Sequence, residues 1–133
     1  MHRILIAEDD LAVRSLLQRV LANAGYGVET AADGGTAVEM VTASLPDLLI
    51  TDLMMPGLTG WSVFARVRRQ VPTLPILVMS GTTTGIPDGA SLPDHAVFLQ
   101  KPAAITDVLT TVTHLLAENQ AGGATRGDAP VAI

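Results

Sequence analysis

The chain has no cysteine, a single lysine and few aromatic residues, and each shortage narrows the class of protein. Without cysteine, a disulfide framework and thiol chemistry are both excluded. Aromatic residues make up 3% of a chain that is 48% hydrophobic, so the core must be aliphatic. An aliphatic core is typical of parallel sheets that helices cover on both faces. The length of 133 residues suits one domain.

Long apolar runs and basic stripes are also missing. No apolar run approaches the roughly 18 residues of a membrane-spanning helix. The acidic residues Glu8, Asp9 and Asp10 interrupt the only apolar run near the N-terminus, so no signal peptide is predicted. The net charge of −5 argues against nucleic acid as a direct partner. We therefore expect a cytoplasmic protein that binds neither membranes nor nucleic acid.

Short apolar runs alternate with amphipathic segments along the whole chain. The predicted strands are 4–7, 28–31, 48–51, 76–79 and 97–99, and the predicted helices are 11–24, 36–43, 60–70 and 106–118. Such alternation predicts an α/β fold with parallel strands and right-handed crossovers.

Two segments depart from this alternation. Residues 82–95 contain Gly85, Pro87 and Pro93, which predict a shortened or irregular helix there. Residues 120–133 are small, polar and rich in glycine, which predicts a disordered C-terminal tail. We therefore expect one folded domain over residues 1–119.

Polar residues stand where four of the predicted strands end. Asp52 ends the third strand, the acidic pair Glu8 and Asp9 follows the first, Ser80 follows the fourth and Lys101 follows the fifth. Parallel α/β sheets bind ligands beyond the carboxyl ends of their strands. We therefore expect these side chains to share one edge of the sheet.

These residue types together suit a phosphoryl group. Three carboxylates in one place repel each other unless a cation compensates, and hard oxygen ligands suit Mg²⁺. Lys101 offers a positive charge and Ser80 a hydroxyl for the oxygens of an anion. Asp52 would then be the nucleophile that forms an aspartyl phosphate.

The same motifs, in this order, resemble the receiver domain of two-component response regulators. They are Glu8-Asp9, Asp52 with Met55-Pro56 and Gly60 after it, Ser80, and Lys101-Pro102. The resemblance covers about residues 4–119. It implies a flavodoxin-like, doubly wound sheet of five parallel strands in the order 2-1-3-4-5. It also implies that a sensor histidine kinase or a histidine phosphotransfer protein phosphorylates Asp52.

The resemblance further assigns roles to individual residues. Mg²⁺ would be bound by Asp9, Asp52 and the backbone carbonyl of Met54, with Glu8 acting through a metal-bound water. Other residues would hold the phosphoryl group or report its presence. Ser80 and Lys101 would bind the phosphoryl group, Ser80 and Phe98 would form the conformational switch, and Pro102 would follow a cis peptide bond.

Each of these residues also has an ordinary structural interpretation. Asp52 would also suit a helix or loop cap, and Glu8, Asp9 and Asp10 a solvated cluster that caps a helix. Ser80 is a suitable residue for the end of a strand, and Lys101 for an exposed surface. Phe98 is an apolar residue on a short strand, where core aromatics are common.

Few residues follow the last predicted helix, so we expect a receiver without a DNA-binding output domain. It would signal to an unidentified protein by direct contact and would not be an enzyme with turnover. Three alternatives remain: the receiver module of a hybrid sensor kinase or phosphorelay, a pseudo-receiver that only binds partners, and an aspartyl-phosphate phosphatase. The phosphatase needs a second Asp two residues after the nucleophile, where this chain has Met54.

Overall fold

The computed structural model describes residues 1–55, 57–81, 89, 91–92 and 95–124. These residues form one six-stranded sheet with the order β2-β1-β3-β4-β6-β5, together with four helices. The strands are β1 (Arg3–Ala7), β2 (Gly27–Ala31), β3 (Leu48–Asp52), β4 (Ile76–Ser80), β5 (Ser91–Leu92) and β6 (Ala96–Gln100). The helices are α1 (Leu11–Asn23), α2 (Gly34–Ala43), α3 (Gly60–Gln70) and α4 (Ile105–Ala124).

The predicted fold class is confirmed. All strand pairs are parallel except β5 with β6, and the parallel strands lie in the order 2-1-3-4-5 when counted along the chain. The order reverses at β1, which lies between β2 and β3. In such sheets the crevice beyond the strand ends at this reversal is where ligands bind.

Capping residues in the sequence determine where the helices begin and end. The side chains of Asp10, Asp33 and Thr59 accept hydrogen bonds from backbone N–H groups in the first turns of α1, α2 and α3. Gly25 ends α1 with a φ of 100°, a conformation that suits glycine. The N–H groups of Gly25 and Tyr26 donate to the carbonyls of Ala22 and Leu21, the hydrogen-bond pair of a Schellman motif.

The sheet is buried between two helical layers. Successive side chains of a strand point to opposite faces of the sheet. Strands that are apolar throughout therefore contribute side chains to the cores on both faces. On one face the strands pack against α2 and α3 through Ala37, Val41, Val63 and Val67, the α2/α3 core. On the other face they pack against α1 and α4 through Leu17, Leu21, Val108, Val112, Leu115 and Leu116, the α1/α4 core. Every residue of the central strands β3 and β4 is buried.

The structure differs from the sequence prediction at two places. The short strand β5 pairs antiparallel with β6, in the segment predicted to hold an irregular helix. The rest of that segment, residues 82–88, 90 and 93–94, lies outside the described residues. Helix α4 continues to Ala124, through residues 120–124 of the predicted tail. The tail prediction for residues 125–133 also falls outside the described part of the chain.

Among the described helices, none combines the length and the apolarity that crossing a membrane requires. Helix α4 is long enough, with 20 residues, but it is amphipathic. Among its residues up to 117, whose side chains are described, the buried ones face the α1/α4 core.

Candidate functional site

Three strands direct charged side chains to the same face of the sheet. Glu8, Asp52 and Lys101 each stand two residues after a strand residue of the α1/α4 core; those strand residues are Ile6, Ile50 and Leu99. Because side chains alternate along a strand, a spacing of two returns to the same face. The carboxyl ends of β1, β3 and β6 therefore bring the three charged groups together on the α1/α4 face.

Lys101 joins two buried carboxylates. Its Nζ lies 2.5 Å from Glu8 Oε1 and 2.9 Å from Asp52 Oδ2. The Glu8 and Asp52 side chains are only 3% and 9% exposed. Charge-assisted hydrogen bonds of this length between poorly hydrated groups are strong, so they fix Lys101 in place. The only lysine in the sequence therefore forms ion pairs within the acidic cluster.

Asp9 brings a third carboxylate to this cluster. Carboxylate oxygens of Glu8, Asp9 and Asp52 all lie within 4.8 Å of one another. Asp9 is exposed, whereas Glu8 and Asp52 are buried. Lys101 balances only one of the three negative charges. Oxygen donors with excess negative charge and one solvent-facing side suit a hard divalent cation that keeps part of its water, so the donor set fits Mg²⁺.

Burial and the ion pairs shift the pKa values of this cluster. Burial raises the pKa of Glu8, and hydrogen bonds from Lys101 and from the Asp10 N–H only partly oppose the rise. The nearby charge of Asp52 adds to it. Burial alone would lower the pKa of Lys101, but its hydrogen bonds to Glu8 and Asp52, together with the negative charges of these carboxylates, raise that pKa. Lys101 therefore stays protonated while Glu8 takes up a proton more easily than usual.

The raised pKa of Glu8 predicts an unusual pH dependence of stability without divalent cations. Above the ordinary pKa of 4.5, the native state binds more protons at Glu8 than the unfolded state does. Stability should therefore gain a contribution from Glu8 as the pH falls from 7 towards 4.5. Denaturant unfolding in EDTA should show this gain in the parent chain and a flatter profile in Glu8→Gln. Parallel profiles for the two proteins would contradict the prediction.

The loop after β3 packs tightly on the backbone of Asp52. The Met54 N–H donates to Asp52 Oδ1 over 3.2 Å, which fixes the carboxylate, while the Met54 side chain is exposed. The Gly60 N–H, at the start of α3, donates to the Leu53 carbonyl over 2.9 Å. A Cβ on Gly60 would lie 2.1 Å from the Asp52 carbonyl oxygen, so only glycine permits this approach.

The remaining predicted site residues lie on or beside β4 and β6. Ser80 is fully buried, and its carbonyl accepts a hydrogen bond of 2.8 Å from the Lys101 N–H. The Lys101–Pro102 peptide bond is cis, the geometry that the resemblance implies. Phe98 is fully buried in the α2/α3 core, on the face opposite the acidic cluster. The switch role of Ser80 and Phe98 stays a prediction.

One residue at the site was not predicted from the sequence. Arg14, on the first turns of α1, donates from Nη1 to the carbonyl oxygens of Glu8, over 2.9 Å, and Asp9, over 3.4 Å. In the sequence it stands outside the apolar face of its helix, which indicates only an exposed side chain. An arginine five residues after an acidic pair matches no motif used in the sequence analysis. The sequence alone therefore did not identify Arg14 as a site residue.

An apolar cavity of about 310 Å³ borders the site between α1 and α4. Besides the Lys101 side chain, its walls are apolar, from Val13, Leu16, Leu17, Val20, Met79, Pro102, Ala103, Ile105 and Val108. The small Ala103 stands directly after Pro102 and leaves part of this volume unfilled. The acidic cluster is thus bordered on this side by apolar surface.

The family model described as "Response regulator receiver domain" matches residues 4–113. This chain belongs to the response regulator receiver family. The match begins within β1, ends within α4 and includes every residue of the acidic cluster, so the family assignment and the geometry concern the same site. Membership makes the receiver domain a module of two-component signalling.

Individual relatives agree with this assignment. Response regulator MprA of Mycobacterium ulcerans (strain Agy99) is 41% identical over 115 residues, which are 86% of this chain and 50% of that protein. The receiver domain from the hybrid histidine kinase CckA is 35% identical, with a TM-score of 0.73 over 86% of this chain and 98% of that one. Chemotaxis protein CheY4 of Vibrio cholerae is 28% identical, with a TM-score of 0.74 and the same coverage.

This receiver domain spans about half the length of the curated relatives that it matches. The similarity therefore concerns the receiver part of those proteins.

Proposed function

We propose that this receiver accepts a phosphoryl group on Asp52 from a phosphohistidine, with Mg²⁺ as the required cation. The proposal rests on one observation: Lys101 Nζ forms ion pairs with both Glu8 and Asp52, and the Asp9 carboxylate lies beside them. This arrangement holds the buried Asp52 carboxylate next to a fixed positive charge, with oxygen donors of Glu8 and Asp9 close by.

Each residue has a defined part in the proposed reaction. An oxygen of Asp52 attacks phosphorus, the P–N bond to the imidazole of the donor breaks, and the imidazole keeps the electron pair and takes up a proton. Lys101 and the Ser80 hydroxyl would bind the oxygens of the transferred group. Such catalysis consists mainly of positioning and charge neutralisation.

Asp9, Asp52 and the backbone carbonyl of Met54 would hold Mg²⁺, with Glu8 reaching it through water. The cation would neutralise charge on the phosphoryl oxygens during transfer. Lys101 pairs with Glu8 as well as with Asp52. Glu8 therefore has a charged partner within the chain.

The consequence for signalling is a change of charge. An aspartyl phosphate adds about −1.5 to −2 charges at the site and can bias a surface with two conformations. We propose that Ser80 and Phe98 carry this change from the strand ends to a protein partner, and that the domain acts in the cytoplasm. Its action on itself is a single phosphoryl transfer without turnover.

A direct test is incubation with Mg²⁺ and acetyl phosphate, followed by intact mass spectrometry. We expect one added phosphoryl group, which disappears in EDTA and in Asp52→Asn. Asp107→Asn, which changes an exposed aspartate on α4, should be phosphorylated like the parent chain. A folded parent chain that gains no phosphoryl group under rapid acid quench would refute the proposal and favour a receiver that only binds partners.

A second candidate is the receiver module of a hybrid kinase or phosphorelay, which the similarity to the CckA receiver favours. Such a receiver passes its phosphoryl group onward to a histidine. Mixing the phosphorylated chain with histidine phosphotransfer proteins of the same organism tests this role. Rapid appearance of phosphohistidine on one of them would support the relay, and retention on Asp52 would support a terminal receiver.

A further inference from the structure

The loop between β1 and α1 supplies two of the three clustered carboxylates, and it holds them very differently. Glu8 is fixed at each of its polar groups. Its N–H donates to the Ala31 carbonyl over 3.0 Å, Oε1 accepts from Lys101, and Oε2 accepts from the Asp10 N–H over 3.1 Å. Contacts within the chain therefore fix the position of the Glu8 carboxylate.

Asp9 has no comparable support for its side chain. It is exposed, and within the described part of the chain its carboxylate accepts no hydrogen bond. Its backbone carbonyl, and that of Glu8 before it, both accept from Nη1 of Arg14. The peptide units on both sides of Asp9 are therefore oriented by Arg14, and the direction of the carboxylate follows from them.

We propose that Arg14 is a positioning residue that orients the backbone around Asp9, so that the Asp9 carboxylate completes the divalent-cation site. The inference deepens the proposed function and rests on it, because it concerns the same cation. Arg14 is half-buried and donates to backbone oxygens, so its planar guanidinium acts as a brace between α1 and the end of β1.

Arg14 affects cation binding in two opposite ways: its charge weakens binding, and its hydrogen bonds strengthen it. A positive charge close to the site repels Mg²⁺, so removing the charge alone would tighten binding. Removing the hydrogen bonds releases Asp9 and weakens binding. Groups that orient metal ligands through hydrogen bonds typically contribute 10–100-fold to metal affinity. We expect the loss of orientation to dominate.

The test is titration of the full chain with Mg²⁺, followed by calorimetry and by the amide NMR signals of the loop. Arg14→Gln should raise the Kd for Mg²⁺ about tenfold. Arg19→Gln removes an exposed arginine from the same helix and should leave the Kd unchanged. Denaturant unfolding of each variant in EDTA gives the folded fraction separately from cation binding.

Unchanged or tighter Mg²⁺ binding in folded Arg14→Gln would overturn the inference, even with a parent chain that binds Mg²⁺ and accepts a phosphoryl group. A parent chain that binds no Mg²⁺ would refute the proposed function and the inference together. If Arg14→Gln does not fold, Arg14→Lys is tested instead, because it keeps the positive charge and lacks the planar guanidinium group. Its Kd should then lie above that of the parent chain, and equality would overturn the inference.

Discussion

Replacing Lys101 by methionine should destabilise the metal-free protein by about 3 kcal/mol at pH 7, because it leaves two buried carboxylates without their cation. Lys101 Nζ bonds to both Glu8 and Asp52, and each of these side chains is less than one-tenth exposed. Methionine keeps most of the apolar contacts of the lysine stem, so the loss would come mainly from charge. The measurement is denaturant unfolding in EDTA.

The pH dependence separates charge from packing in this experiment. Burial raises the pKa of Glu8, so Glu8 should take up a proton on acidification and the loss caused by Lys101→Met should shrink between pH 7 and pH 5. Adding Glu8→Gln to Lys101→Met should restore part of the stability, because only one unpaired carboxylate then remains. Arg19→Met, a change of an exposed cation on α1, should have little effect. An equal loss at both pH values would indicate lost packing instead.

Gly60→Ala should cost about 3 kcal/mol or more, although it adds only one methyl group. That methyl group would lie 2.1 Å from the Asp52 carbonyl oxygen and 2.4 Å from the Leu53 Cα. Both neighbours are backbone atoms at the end of a fully buried strand, so neither can give way by rotating a side chain. Either α3 moves outward or the Asp52 loop shifts.

Gly35→Ala is a matched control for this substitution. Gly35 lies at the start of α2, and an added Cβ would meet nothing closer than Asp33 Oδ1 at 3.6 Å. Alanine is a better helix former than glycine, so this variant should be unchanged or more stable by up to about 1 kcal/mol. Denaturant unfolding compares the two directly, and equal stabilities for Gly60→Ala and the parent chain would show that the contact relaxes freely.

Much of the fold could be predicted because the strands are short, apolar and buried on both faces. The run before Ser80 is wholly apolar and the run before Asp52 contains only one polar residue, Thr51, which is typical of central parallel strands. The site followed from the same pattern, because parallel strands that end in polar residues bring those residues to one edge. The contacts of Lys101 with Glu8 and Asp52 agree with this expectation.

Other features depend on long-range contacts that no local pattern encodes. The strand β5 has two residues and forms only by pairing with β6. The role of Gly60 depends on how closely α3 approaches the Asp52 backbone, and that of Arg14 on the angle between α1 and β1. The extension of α4 through Gly122 and Gly123 opposes their weak helix propensity. Extending a formed helix costs less than starting one, so a long helix can run past such residues.

The short strand at the outer side of β6 has a consequence for how copies of this protein behave towards each other. An open strand edge presents unpaired N–H and C=O groups that can pair with another chain and start aggregation. Here Ser91 and Leu92 pair with Val97 and Ala96, and the Gly89 N–H donates to the Phe98 carbonyl over 2.8 Å. Because β5 runs against the direction of β6, it also ends the parallel ladder. A strand from another molecule could pair directly with this edge of β6 only after displacing these native hydrogen bonds.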